Sequence, residues 1–317
     1  MGRSKKGRAI SGIIVLNKPL GITSTKALGR VKYLLQANKA GHTGALDPMA
    51  SGVLPLCFGE ATKFSQLLLE STKGYITTAK LGETRTTGDQ EGEVIENRPL
   101  PDSSRLERNN LESLLDNFRG EITQIPPMYS ALKHEGKPLY ELAREGKELD
   151  LSKLKKRRVT IHKLELLDVR EDEVDLAVTC SKGTYIRSLV QDIGEALDCG
   201  AYVSMLHRTQ AGPFSEQQMV TLEQLEQILE AEGQESLDSQ LLHPSTAIED
   251  WPKVELTTAQ GKNLMYGQTA KTSEKPEPQV QLWVRANDQL DFIGIGEVRA
   301  DGTVASKRLF QLDTSHW

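Results

Sequence analysis

An α+β fold with a small β-rich block at its C-terminal end is what this sequence predicts, and three observations predict it. Glycine is plentiful, at 26 of 317 residues, while aromatics make up 5%, which suits a mixed protein with many turns. Apolar residues recur in both periods: helical spacing at Ala27, Leu28, Val31, Leu34 and Leu35, and β-forming alternation in Tyr75-Ile76-Thr77-Thr78-Ala79-Lys80-Leu81. Residues 253–314 combine strand-like runs with Gly294, Gly296 and Gly302, which mark turns or close backbone approaches.

In chain order, Gly12-Ile13-Ile14-Val15-Leu16 predicts a short buried strand, and Thr23 or Ser24 caps a helix running to about Gln36. Residues 53–58 read as a strand, Glu60 to Leu69 as a helix, 74–81 as a strand, 83–93 as a polar loop or hairpin turn, and 107–118 as a helix. Residues 121–152 open on the rigid Pro126-Pro127 pair and continue as a basic and aromatic helical pattern, an insertion projecting from the main body. Strands follow at 157–169 and 173–180, then a helix from Thr184 to Leu197, with a further strand at 202–209. An amphipathic helix begins the stretch 221–250, where we place the domain boundary. Gln279 to Ala286 and Phe292 to Arg299 are strands of the last block, after a loop at Lys271 to Pro278.

Composition narrows the function classes. No apolar run approaches the roughly 20 residues that a membrane span needs. The basic N-terminus lacks the apolar stretch of a secretory signal, so the expectation is a cytoplasmic protein. Cys57, Cys180 and Cys199 are far apart and show no metal-ligand spacing, as buried reduced thiols would. The net charge of −5 argues against a nucleic-acid partner only until its distribution is considered. Residues 221–250 hold eight acids and no Lys or Arg; setting them aside leaves the rest of the chain at +3. Basic clusters remain at the N-terminus and at Lys153, Lys155, Lys156, Arg157 and Arg158, suited either to phosphates or to a solvated surface.

The segment Gly41-His42-Thr43-Gly44-Ala45-Leu46-Asp47-Pro48 carries the densest chemistry. Its glycines permit positive φ, and the proline keeps Asp47 out of a helix interior. Asp47 is therefore a nucleophile, a base or the cap of a turn. A metal site or a glycosidase would need partner carboxylates or histidines that do not lie nearby in sequence. In Ser181-Lys182-Gly183-Thr184-Tyr185-Ile186-Arg187, the arginine falls in the first turn of a helix, where the helix dipole does not favour a cation. An anion such as Asp47 would explain it, as would an ordinary salt bridge. Tyr75, opening a strand after Lys73-Gly74, is a stacking platform or a core tyrosine.

Taken together, Gly41–Pro48, Gly59-Glu60-Ala61-Thr62-Lys63, Lys73-Gly74-Tyr75, Pro127-Met128-Tyr129-Ser130-Ala131-Leu132-Lys133 and Ser181–Arg187 resemble, in order and spacing, the TruB family of tRNA pseudouridine synthases. The resemblance covers about residues 10–245. It implies a pseudouridine synthase catalytic domain on a mixed, mainly antiparallel sheet with flanking helices, with 121–152 as an RNA-gripping thumb whose Pro127, Tyr129, Lys133, Lys137 and Tyr140 suit that task. Residues 251–314 more loosely resemble a PUA RNA-binding domain. The implied activity is isomerisation of uridine 55 in the T arm of tRNA, with base flipping, no cofactor and no metal. The implied site has Asp47 as the single attacking aspartate, and Arg187 as its partner. Tyr75 is the base-stacking ring, Tyr185 and Leu206 line the pocket, His42 holds the flipped arrangement, and Lys18 and Lys63 support the site. The implied partner is the tRNA T stem-loop, bound by a monomer with no obligate protein partner. Other classes remain: a tRNA-folding chaperone or a subunit of an RNA-guided complex, which would not need Asp47, and a metal-free glycoside hydrolase, which would need a second carboxylate across from it.

Overall fold

The computed structural model describes residues 7–127, 129, 133, 134, 137–139, 156–312 and 314–317. The elements of the first part are β1 (Gly12–Lys18), α1 (Ser24–Leu34), β2 (Ala40–His42), β3 (Ala50–Phe58), α2 (Ser65–Glu70), β4 (Lys73–Leu81), β5 (Glu83–Arg85), β6 (Val94–Asn97), α3 (Arg108–Leu115) and β7 (Gly120–Gln124). A two-rung ladder, β8 (Lys133–His134) and β9 (Lys137–Pro138), is followed by β10 (Arg157–Arg170), β11 (Glu173–Cys180), α4 (Ile186–Ala196), β12 (Ala201–Ala211), β13 (Phe214–Ser215), α5 (Leu222–Glu232) and α6 (Gln234–Asp238). The last part holds β14 (Lys253–Thr257), α7 (Thr258–Met265), β15 (Ala270–Lys271), β16 (Glu277–Ala286), β17 (Gln289–Val298) and β18 (Thr303–Leu309).

One sheet organises residues 12–215, in the order β1-β3-β12-β4-β11-β10-β7, with β2 on β3 and β13 on β12. Every pairing is antiparallel except β3 with β12. That parallel contact is close. Gly52 has φ +101°, and a Cβ there would lie 2.2 Å from the Arg208 carbonyl oxygen, so only glycine fits. The main core joins α1, α4 and α5 to the sheet through Val31, Leu56, Val178, Leu189 and Leu225. Thr23 caps α1 by accepting from the Lys26 N–H, and Thr221 and Gln224 form a capping box at α5.

A second, five-stranded sheet runs β14-β16-β17-β18-β15. It is fastened to the first part through an apolar cluster in which Phe64 packs against Phe292 and Phe310, with ring centroids 6.0 and 5.1 Å away. Polar ties surround that cluster. Lys63 Nζ donates to the Leu309 carbonyl (2.7 Å), Arg308 Nη1 donates to the Lys63 carbonyl (2.6 Å), and the Gln311 N–H donates to Glu60 (2.7 Å).

Several expectations change in detail. Residues 60–69 are a 3₁₀ turn (Gly59–Phe64) followed by the short α2, and 83–93 opens a two-stranded hairpin of β5 and β6. The first residues of the 121–152 stretch belong to the main sheet rather than to a projecting insertion. Residues 120–124 are an edge strand paired with β10, while residues 128, 130–132, 135, 136 and 140–155, including Tyr140, Lys153 and Lys155, lie outside the described residues. The acidic stretch has local partners: Glu226 pairs with Arg30 of α1, and Asp238 with Arg8. Among the described residues no helix is long and apolar enough to cross a membrane.

Candidate active site

The sheet order brings distant pieces of sequence to one cleft. β12 lies between β3 and β4, so the loop before β3, the start of β4 and the middle of β12 converge; the turn after β11 delivers the start of α4 to the same place. The resulting cleft, about 270 Å³, is lined by Gly44–Asp47, Leu69, Lys73, Tyr75, Ser181, Gly183–Arg187, Leu206 and Arg208. Its volume lies near the lower end of the roughly 300–1,000 Å³ usual for small-ligand pockets.

Asp47 sits on a loop pinned from several sides. Ser24 Oγ accepts from the Leu46 N–H (2.7 Å), the Gly21 N–H donates to the Pro48 carbonyl (2.8 Å), and Arg208 Nη2 donates to the Gly44 carbonyl (3.2 Å). Gly44 has φ +117°, a conformation that L side chains rarely adopt. The carboxylate is held 2.9 Å from Arg187 Nη2, yet 42% of its side chain remains exposed, against 5% for Arg187. Burial among protein atoms raises the Asp47 pKa above the ordinary value, Arg187 and Lys18 pull it back, and Asp89 pushes it up further. The pair therefore orients the carboxylate without making it unusually acidic.

Arg187 is anchored independently of Asp47. Nη1 donates to the Thr87 carbonyl (2.8 Å) and faces Asp89 at 3.4 Å, and Nη2 also donates to the Tyr129 carbonyl (2.8 Å). Asp89, buried, is itself held by Thr87 Oγ1 (2.5 Å) and the Glu91 N–H (3.1 Å). Lys18 is fully enclosed. Its ammonium donates to the carbonyls of Pro19 (2.8 Å), Ile22 (2.7 Å) and Pro48 (3.5 Å), and burial lowers its pKa to about 8. Lys73 is similar, donating to the carbonyls of Leu68, Leu69 and Ser71 at 2.9, 2.7 and 2.6 Å, with a pKa lowered by burial to about 8.

Five of the expected residues, Asp47, Arg187, Tyr75, Tyr185 and Leu206, line the cleft together, and Lys18 lies beneath the Asp47 loop. Burial raises the Tyr75 pKa. His42 is on β2 rather than on the cleft wall; its Nδ1 is buried and has no hydrogen-bond partner among the described residues, and burial lowers its pKa. Lys63 corrects an expectation. Its ammonium bonds Glu60 (2.6 Å) and the Leu309 carbonyl, so it belongs to the junction with the C-terminal sheet, not to the cleft.

Three residues escaped the sequence reading. Arg208 is 1% exposed and donates through Nε to the Val53 carbonyl (2.6 Å); an arginine in phase with buried strand positions was a usable signal, blurred by two register shifts in β12. Asp89 lies within the polar stretch 83–93, where nothing local distinguishes it from its neighbours. Gln124 ends an edge strand and carries no local signal at all.

Comparison with known proteins agrees with this arrangement. Residues 32–186 match the family model described as TruB family pseudouridylate synthase (N terminal domain). Residues 187–248 match the tRNA pseudouridylate synthase B C-terminal domain, and 252–310 match Pseudouridine synthase II TruB, C-terminal. A tRNA pseudouridine synthase B of Pseudomonas putida (strain F1) is 53% identical over 305 residues, covering 96% of this chain and 97% of its own. One from Pseudomonas aeruginosa (strain UCBPP-PA14) is 50% identical over the same shares. Among solved structures, a chain of a Cbf5-Nop10-Gar1 complex superposes with a TM-score of 0.65 at 28% identity, over 90% of this chain and 78% of that one. On these matches and this architecture, the chain belongs to the TruB family of pseudouridine synthases.

Proposed function

We propose that this protein converts uridine 55 in the T arm of tRNA to pseudouridine, with Asp47 as the one carboxylate that acts on the flipped nucleoside. The observation that carries the reading is a half-open carboxylate paired at 2.9 Å with a buried arginine inside a cleft walled by Tyr75, Tyr185 and Leu206. The reaction breaks the N1–C1′ bond, forms C5–C1′, removes the proton from C5 and places one on N1. Atoms and electrons balance within the nucleoside itself, and a single well-placed carboxylate suits attack at C6, attack at C1′, or removal of a ribose proton.

Everting a stacked base costs a few kcal/mol. Stacking on Tyr75 offsets roughly 1–3 kcal/mol of that. Arg187 orients Asp47, Lys18 fixes the Pro48 carbonyl beside it, and the half-buried His42 on β2 holds the rearranged RNA loop. The exposed Lys156, Arg157 and Arg158 offer backbone contacts that carry affinity without reading bases. In this reading the protein acts in the cytoplasm as a monomer. The alternative, a tRNA-folding chaperone or RNA-guided subunit without its own catalysis, leaves the Asp47–Arg187 pair without a task.

The experiment is incubation with unmodified tRNA transcript and mapping of pseudouridine at nucleotide resolution. Product at position 55, absent with Asp47→Asn, is expected. Modification at another uridine, or undiminished product from Asp47→Asn, overturns the reading.

A further inference from the structure

The chain leaving β7 is fastened to the start of α4 at three successive points. Gln124, the last residue of β7, is 1% exposed. Its Nε2 donates to the Tyr185 carbonyl (3.1 Å), and its Oε1 accepts from the Tyr185 N–H (3.0 Å). One residue on, the Ile125 carbonyl accepts from Ser188 Oγ (3.1 Å). The Tyr129 carbonyl accepts from Arg187 Nη2, the same nitrogen that faces Asp47.

This arrangement answers a local need. Tyr185 is the N-cap of α4 and makes no side-chain cap bond of its own. Helix starts leave backbone N–H groups unpaired, and these usually take a side-chain oxygen from the cap residue. Here a neighbouring strand supplies an oxygen to the N–H of the cap residue itself, the donor that an N3 side chain meets in a capping box. Because the amide meets both the N–H and the carbonyl of one residue, it fixes the Tyr185 backbone in position and orientation together. Tyr185 forms a wall of the cleft, and Arg187 follows two residues later.

We propose that Gln124 is a positioning residue: it sets the Tyr185 wall and the first turn of α4, and through that turn the Arg187–Asp47 geometry. The chain that follows β7 and the cleft are thereby held in one register. The side chain must be a neutral amide of this length. Methionine fills the space without either bond, and glutamate keeps the acceptor but loses the donor and repels the Tyr185 carbonyl.

The inference rests on the reaction proposed above, so wild-type protein is run in parallel. No pseudouridine from the wild type refutes that reaction and this inference with it. With the wild type active, the single-turnover rate and the tRNA Kd of Gln124→Met are measured. Losing two net hydrogen bonds predicts a rate lowered about 5- to 30-fold, with Kd within about twofold. A rate within twofold of wild type, or a loss explained by weaker binding, overturns the inference. Should Gln124→Met fail to melt cooperatively, Gln124→Glu decides. Relative to wild type it is slow at pH 8 and recovers as the pH is lowered towards 5.5, where a protonated carboxyl regains the donor. Equal depression at both pH values overturns the assignment.

Discussion

Arg187→Met separates what the buried guanidinium does for the fold from what it does for Asp47. The arginine side chain is 5% exposed and faces Asp47 at 2.9 Å and Asp89 at 3.4 Å. The Asp89 side chain is 3% exposed, so the variant strands a buried carboxylate, and breaking such a pair costs about 3–5 kcal/mol. Asp47 is 42% exposed, so solvent screens its half of the network and limits that share to ~1 kcal/mol. The Thr87 and Tyr129 carbonyls each lose a donor, roughly 1 kcal/mol apiece where water cannot replace it. Against this, Thr87 Oγ1 and the Glu91 N–H still hold Asp89. With the Asp89 share therefore at the lower end of its range, the net expectation is a loss of about 6 kcal/mol, read from urea unfolding at pH 7 as a lower midpoint at unchanged slope. The double variant Arg187→Met/Asp89→Asn removes the stranded charge and recovers about half of that loss. A loss below ~1 kcal/mol, or a double variant no more stable than the single one, refutes the argument that the Asp89 charge dominates.

Three further outcomes are expected. Asp47→Asn lowers turnover by at least about 10³-fold with tRNA affinity nearly intact. Because burial raises the folded pKa of Asp47 above its unfolded value, the ionised group opposes folding as pH rises past roughly 4; the variant therefore melts no lower than wild type at pH 7, and a lower melting point contradicts the sign. Lys73 shows the opposite case of a cation lowered to about 8 by burial. The unfolded chain binds that proton more tightly, so the penalty is full below pH 8 and is relieved as pH rises towards about 10. The stability of wild type relative to Lys73→Met consequently climbs between pH 7.5 and 10, and a flat difference would place the ammonium in water. Replacing the exposed Lys156, Arg157 and Arg158 by glutamine weakens tRNA binding and flattens the log Kd against log salt slope by roughly 0.7–0.9 for each phosphate no longer neutralised; an unchanged slope places the patch away from RNA.

Local chemistry makes much of this protein legible from its sequence. The alternation at residues 74–81 and the helical spacing at 27–35 both correspond to observed elements, β4 and α1, within a residue or two. A hydroxyl cap at Thr23 or Ser24 and the bend of the Gly44–Asp47 loop follow from residue type alone, because a hydroxyl and a missing Cβ act within one turn of chain; the structure gives the cap to Thr23. Where local preference was weak, the reading slipped. β14, α7 and β18 were missed, because short strands and an eight-residue helix take most of their stability from packing on β16 and β17 rather than from their own propensity.

By itself, then, the sequence determined which residues carry charge and where the backbone must bend, and the order and spacing of its motifs, through their family resemblance, singled out Asp47, Tyr75 and Arg187. Only the tertiary structure decided who meets whom. It set Asp89 against Arg187, put Arg208 under the Gly44 carbonyl, tied Gln124 to Tyr185, and sent Lys63 to the C-terminal junction. The reason is physical. Those contacts join residues separated by roughly 60 to 250 positions, and the order of strands in a sheet depends on summed packing over the whole chain, which no local window of residues contains.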